Sequence, residues 1–89
     1  MLSIEIFINY YKDGTHTVQE VYINNIREAK FNYSKGRIDL GVLKQYEGCA
    51  AKVINTHIDD IAKNNTKMMI IKEVETLPDG LHVVHFNDV

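Results

Sequence analysis

The sequence predicts one α+β domain over residues 1–89: an antiparallel sheet of four to five strands, in the order β-β-β-α-β-β, with one long helix packed on one face. Three observations carry that expectation. Residues 2–10 alternate apolar and polar side chains. Residues 43–61 repeat apolar side chains at spacings of three and four. Residues 67–87 hold two apolar runs around a Pro-Asp-Gly turn.

In the first segment Leu2, Ile4, Ile6, Ile8 and Tyr10 share one face of a strand, while Ser3, Glu5 and Asn9 share the other. Asp13-Gly14 is a strong hairpin signal, because both residues tolerate positive φ. A two-residue turn there opposes Ile6 to Val21 and Ile4 to Ile23, placing apolar side chains on one face of both strands. A three-residue loop Lys12-Asp13-Gly14 would oppose Ile6 to Glu20, so the two-residue turn is expected. Ala29, Phe31 and Tyr33 then alternate with Lys30 and Asn32 as a third, more exposed strand, which Ser34-Lys35-Gly36 ends. Basic side chains suit an edge position, where charge discourages association of sheets.

A helix is expected next. Leu43, Tyr46, Ala50, Val53, Ile54, His57, Ile58 and Ile61 trace one apolar stripe, with Lys44, Glu47, Lys52, Asn55 and Asp59 opposite. Asp39 is the candidate N-cap and Asn64-Asn65 the stop. Gly48 would cost such a helix about 1 kcal/mol relative to Ala. The alternative is a fourth strand through Ile38, Leu40 and Val42, with the helix beginning near Glu47. A second hairpin closes the chain, turning at Leu77-Pro78-Asp79-Gly80. Its consecutive Met68, Met69, Ile70 and Ile71 suggest a central strand apolar on both faces. One helix covers one face of a sheet, so something else must shield the other.

Composition narrows function more by exclusion than by assignment. Formal net charge is −2, which provides no overall field for nucleic acid. Charge is nonetheless uneven: residues 27–37 carry Arg27, Lys30, Lys35 and Arg37 against Glu28, and residues 73–89 carry Glu73, Glu75, Asp79 and Asp88 without Lys or Arg. Cys49 is the single cysteine, so an internal disulfide and a four-cysteine zinc site are excluded, and a reducing, cytoplasmic setting is expected. No signal peptide and no membrane-length apolar run are read from the sequence.

Candidate chemistry does not assemble. His57 sits on the apolar stripe as a core residue, too far along a helix from Cys49 for a nucleophile–base pair. His82 and His85 are three apart in a strand and point to opposite faces, so they cannot share a metal. Asp59 and Asp60 diverge on a helix and do not share a ligand. The glycines form no phosphate-cradling cluster. No catalytic residue, metal or cofactor is therefore expected.

The expected function is a non-enzymatic protein-interaction module that forms a homodimer and binds a protein partner, with apolar surface beyond what one helix covers. Arg27, Lys30, Phe31, Tyr33, Lys35, Arg37, Met69 and Ile71 are the candidate partner-binding residues. Size and class fit an inhibitor encoded by a phage or other mobile element and directed at a host or defence protein. Two alternatives remain. One is a nucleic-acid-binding regulator using the basic segment 27–37, with Tyr10, Tyr11, Tyr22, Phe31 and Tyr33 to stack on bases. The other is a small-ligand binder between sheet and helix, beside Gly48 to Ala51.

Overall fold

A computed structural model describes residues 1–11, 13–56 and 66–89. It contains strands β1 (Ile4–Tyr10), β2 (His16–Ile23), β3 (Ile26–Lys30), β4 (Ala50–Asn55), β5 (Thr66–Thr76) and β6 (His82–Asp88), with a 3-10 helix at Gly41–Tyr46. The strands form one sheet in the order β3-β2-β1-β4-β5-β6. Neighbours are antiparallel except β1 and β4, which run parallel. Two antiparallel meanders thus meet along one parallel seam.

Among the described residues the expected long helix is absent, and with it the α+β class; the sheet has six strands rather than four to five, and it is mixed rather than purely antiparallel. Residues 41–46 make the short 3-10 turn and residues 50–55 make a strand. The physical reason lies at Gly48, whose φ of +89° ends any right-handed helix and turns the chain into β4. The stripe from Leu43 to Ile54 is two patterns laid end to end. Leu43 faces the core from the 3-10 helix, and Ala51 and Val53 face it from a strand in which Lys52 points away. The alternative fourth strand is also absent: Ile38 and Leu40 are buried, but on the connector before the 3-10 helix. His57, Ile58, Asp59, Asp60, Ile61 and Asn64-Asn65 lie outside the described residues.

The first hairpin keeps the expected pairs Ile6–Val21 and Ile4–Ile23 but reaches them by another route. Tyr11 N–H donates to Thr15 O at 2.9 Å and Gly14 N–H to Tyr11 O at 3.0 Å, which closes a three-residue loop with Gly14 at φ +87°. An extra residue at Gln19 then restores the register, since Phe7 pairs with Glu20 and Ile8 with Val18. The bulge is what lets Val18 and Val21, three apart, both face the core. Asp13 accepts from the Thr15 hydroxyl at 2.6 Å and its amide at 3.0 Å, and these bonds hold its carboxyl below the usual carboxylate range. The β5–β6 loop repeats the design, with Leu77 N–H donating to Leu81 O, Gly80 N–H to Leu77 O, and Asp79 accepting from Leu81 N–H. The two-residue turn that the sequence reading assigned to Asp13-Gly14 occurs instead at Asn24-Asn25, both at positive φ.

The sheet curls so that its concave face holds the core. Ile4, Ile6 and Ile8 of β1 meet Val18 and Val21 of β2, Ala51 and Val53 of β4, Ile71 and Val74 of β5, and Val84 of β6. Ile38, Leu40 and Leu43, on the connector between β3 and β4, close this face. Three bonds pin the connector: Leu40 N–H to His82 Nδ1 at 2.9 Å, Val74 N–H to Glu47 Oε2 at 2.7 Å, and Gly48 N–H to Ile71 O at 2.7 Å. The curl also brings β2 to β6, where His16 packs between Tyr10 and Phe86 with ring centroids at 5.6 and 5.8 Å. Among the described residues no helix is long and apolar enough to cross a membrane.

Three outcomes are expected. A Cβ at position 14 would meet nothing within 4 Å, so Gly14→Val is destabilising through φ alone, by about 1 kcal/mol or more in chemical denaturation. Leu43 is fully buried, and Leu43→Ala should lower stability by about 2–5 kcal/mol. His16 is held below the ordinary imidazole value of 6.5 by burial first and then by the charge of His85, against an opposing bond to the Val84 backbone. The unfolded chain therefore takes up this proton first as pH falls. Stability conferred by neutral His16 is complete above pH 6.5 and declines as pH drops toward the folded value. Denaturation midpoints across this range should fall less steeply for His16→Gln than for the native chain; parallel curves would remove His16 as a source of the acid slope.

Candidate interaction surface

The side of the sheet away from the core is built by strand alternation. Because paired residues share a face, the register carries one row through Tyr22, Glu5, Lys52 and Met68, and the next through Glu20, Phe7, Ile54 and Thr66. Ile70, opposite Ala50, extends the apolar part. Among the described residues no core segment packs on this side: Phe7, Tyr22, Ile54 and Ile70 are half-buried, and Met68 is 48% exposed. Phe7 and Tyr22 meet edge to face with centroids at 5.5 Å. The Tyr22 hydroxyl donates to Glu20 Oε2 at 3.2 Å, and Arg27 Nη1 donates to the same oxygen at 3.2 Å. Glu5 and Lys52 lie side by side in register, and neither forms an ion pair among the described residues.

The residues singled out from the sequence divide between this face, the core and the segment after β3. Arg27 is on the face, but its exposed pairing with Glu20 is worth under about 1 kcal/mol and occupies its charge. Lys30 ends β3 opposite Glu20 and is exposed. Phe31 packs against the core, edge to face with Tyr33 at 5.0 Å. Tyr33 is 77% exposed, and its hydroxyl donates to Gln19 Oε1 at 2.9 Å. Lys35 is exposed in a turn where its amide and that of Gly36 donate to Asn32 O. Arg37 is exposed at the end of that turn.

Met69 is partly buried against the core and Ile71 fully buried, so neither presents a surface to a partner. The exposed parity of β5 belongs to Met68 and Ile70. Phe7, Ile54 and Lys52 were not among the candidate partner-binding residues, and Tyr22 was singled out only for stacking on bases. Their signal was an apolar side chain on the polar parity of a strand, which is readable for Phe7 but hidden for Ile54 once residues 50–55 are taken as helix.

The basic segment does not converge on a stacking platform. Phe31 turns into the core, Tyr22 is bonded to Glu20, and Arg27 is neutralised by that same carboxylate. His82 lies on the concave side against Leu40, while His85 faces the other way and bonds Glu75 at 2.8 Å. Glu73 opposes His85, and Lys72 is an extra residue in β5. Among the described residues no three His, Cys, Asp or Glu side chains are grouped to hold a metal ion. Compared with known proteins, the chain matches no protein-family model, no curated protein and no solved structure.

Proposed function

We propose that the chain is a non-enzymatic protein-interaction module whose contact surface is the outer sheet face and whose occupant is a second copy of itself. One observation carries this reading: an apolar strip of Phe7, Tyr22, Ile54, Met68 and Ile70 runs beside an acid and a base, Glu5 and Lys52, that form no ion pair among the described residues. A two-fold axis through that strip sets Glu5 of one copy against Lys52 of the other, twice. The face is therefore complementary to itself, as a two-fold interface requires. Two sheets stacked face to face, about 10 Å apart, would bury the strip as a shared core. The molecule's extents of 35 × 33 × 23 Å give it a broad side large enough for the roughly 800 Å² per partner of a standard interface. On size and class alone the reading extends to an inhibitor, encoded by a phage or other mobile element, that occludes a host or defence protein.

Charge reversal tests the occupant. Glu5→Lys places two bases on each copy, and Lys52→Glu places two acids, so each variant alone should scatter light as a monomer at micromolar concentration. An equimolar mixture of the two restores opposite charges across the interface and should return to the mass of a dimer. Native protein with the mass of one chain, or either variant alone remaining dimeric, would exclude a second copy on this face.

A further inference from the structure

On the concave side a separate cleft of about 160 Å³ opens between the start of β2, residues 36–40 and β6. Its apolar lining includes Val18, Phe31 and Val84, and its polar lining includes His16, Arg37 and His82. The volume is well under the roughly 300 Å³ at the lower end of drug-sized pockets, so it suits a group the size of one side chain. Arg37 is exposed, and its guanidinium makes no ion pair or hydrogen bond among the described residues. The β5–β6 turn places it, since a Cβ at Gly80 would stand 3.5 Å from Arg37 Nη1. His82 Nδ1 accepts from Leu40 N–H at 2.9 Å, so the neutral ring carries its proton on Nε2 as a donor. Asp39 Oδ1 stands 3.3 Å from the same Nδ1 and accepts from Gly41 N–H at 2.9 Å.

We propose that this cleft binds a small monocarboxylate, with the acid on the Arg37 fork and the His82 ring N–H, and a short apolar tail against Phe31 and Val84. A planar guanidinium with no internal partner matches a carboxylate two bonds at a time. The Asp39 carboxylate beside His82 repels a dianion more than a monoanion, which favours a carboxylate over a phosphate. The same acid could arrive as a free metabolite or as the C-terminus of a protein segment.

Titration of ¹⁵N-labelled protein with isovalerate tests the site, with isovaleramide as the uncharged control. Isovalerate should shift the amide signals of Gly36, Leu40 and His82 saturably at millimolar concentration. Isovaleramide should bind at least about tenfold more weakly, the weight of one charge-assisted bond pair. Arg37→Gln should lose the response, and Arg37→Lys, which keeps the charge but not the fork, should lose most of it. The rest of each variant's spectrum, unchanged, reports that it is folded. A glycine-rich tripeptide ending in valine separates the sources: tighter binding than isovalerate assigns the site to a protein C-terminus, and weaker binding assigns it to a free acid. Absence of saturable shifts, equal binding of the amide, or an unchanged response in Arg37→Gln would overturn the proposal.

Discussion

A single-layer sheet has no second layer to bury its apolar face against, and this fold depends on how that face is closed. Three side chains, Ile38, Leu40 and Leu43, lie over it from one connector. Each fully buried aliphatic side chain contributes about 1.5–3 kcal/mol, so the three together rival the net stability of a domain this small. They can do so only if the connector stays in place. The His82 ring accepts from Leu40 N–H and the Ile71 carbonyl from Gly48 N–H, while the connector's own Glu47 carboxylate accepts from Val74 N–H of β5. Burial and hydrogen bonding are therefore coupled: the side chains need the anchors for position, and the anchors need the side chains to exclude water.

How much of this was legible in the sequence follows from which signals are local. Alternation in residues 4–10 and 16–23 marks the two strands and their inward faces, and the inward set Ile4, Ile6, Val21 and Ile23 is buried. Turn geometry was less readable. Asp13-Gly14 fits a two-residue turn and a three-residue loop equally well, and the choice depends on a bulge at Gln19 that no local pattern announces. The helix failed for a sharper reason. Over residues 43–54 a 3-10 turn followed by a strand leaves apolar side chains at helical spacings, and only the positive φ of Gly48 separates the two readings. That error propagated to the site, because a helical Lys52 and Ile54 cannot share a face with Glu5 and Phe7.

The two surfaces with unused chemistry lie on opposite sides of the sheet. The outer one is broad and mixed, apolar side chains beside charges that find no ion-pair partner among the described residues. The inner one is a small cleft, where the Arg37 guanidinium, unpaired among the described residues, stands beside apolar side chains. A broad face suits a macromolecular contact, and a small cleft suits a small group. A curled sheet produces both from the same strands, since each residue placed on the convex side leaves its neighbours for the concave one.

The parallel seam between β1 and β4 sets the order in which this chain can fold. Its closing contact, the Thr56 hydroxyl on the Ile8 carbonyl, joins residues 48 apart in sequence. The β1–β2, β2–β3 and β5–β6 pairs, by contrast, are joined by tight loops, with little chain to order before they pair. As the polypeptide leaves the ribosome, β1 to β3 are complete while the inner edge of β1 still has no neighbour and its isoleucines have no cover. The N-terminal half must wait in that unfinished state for β4, and the open edge of β1 is where premature association between nascent chains would begin.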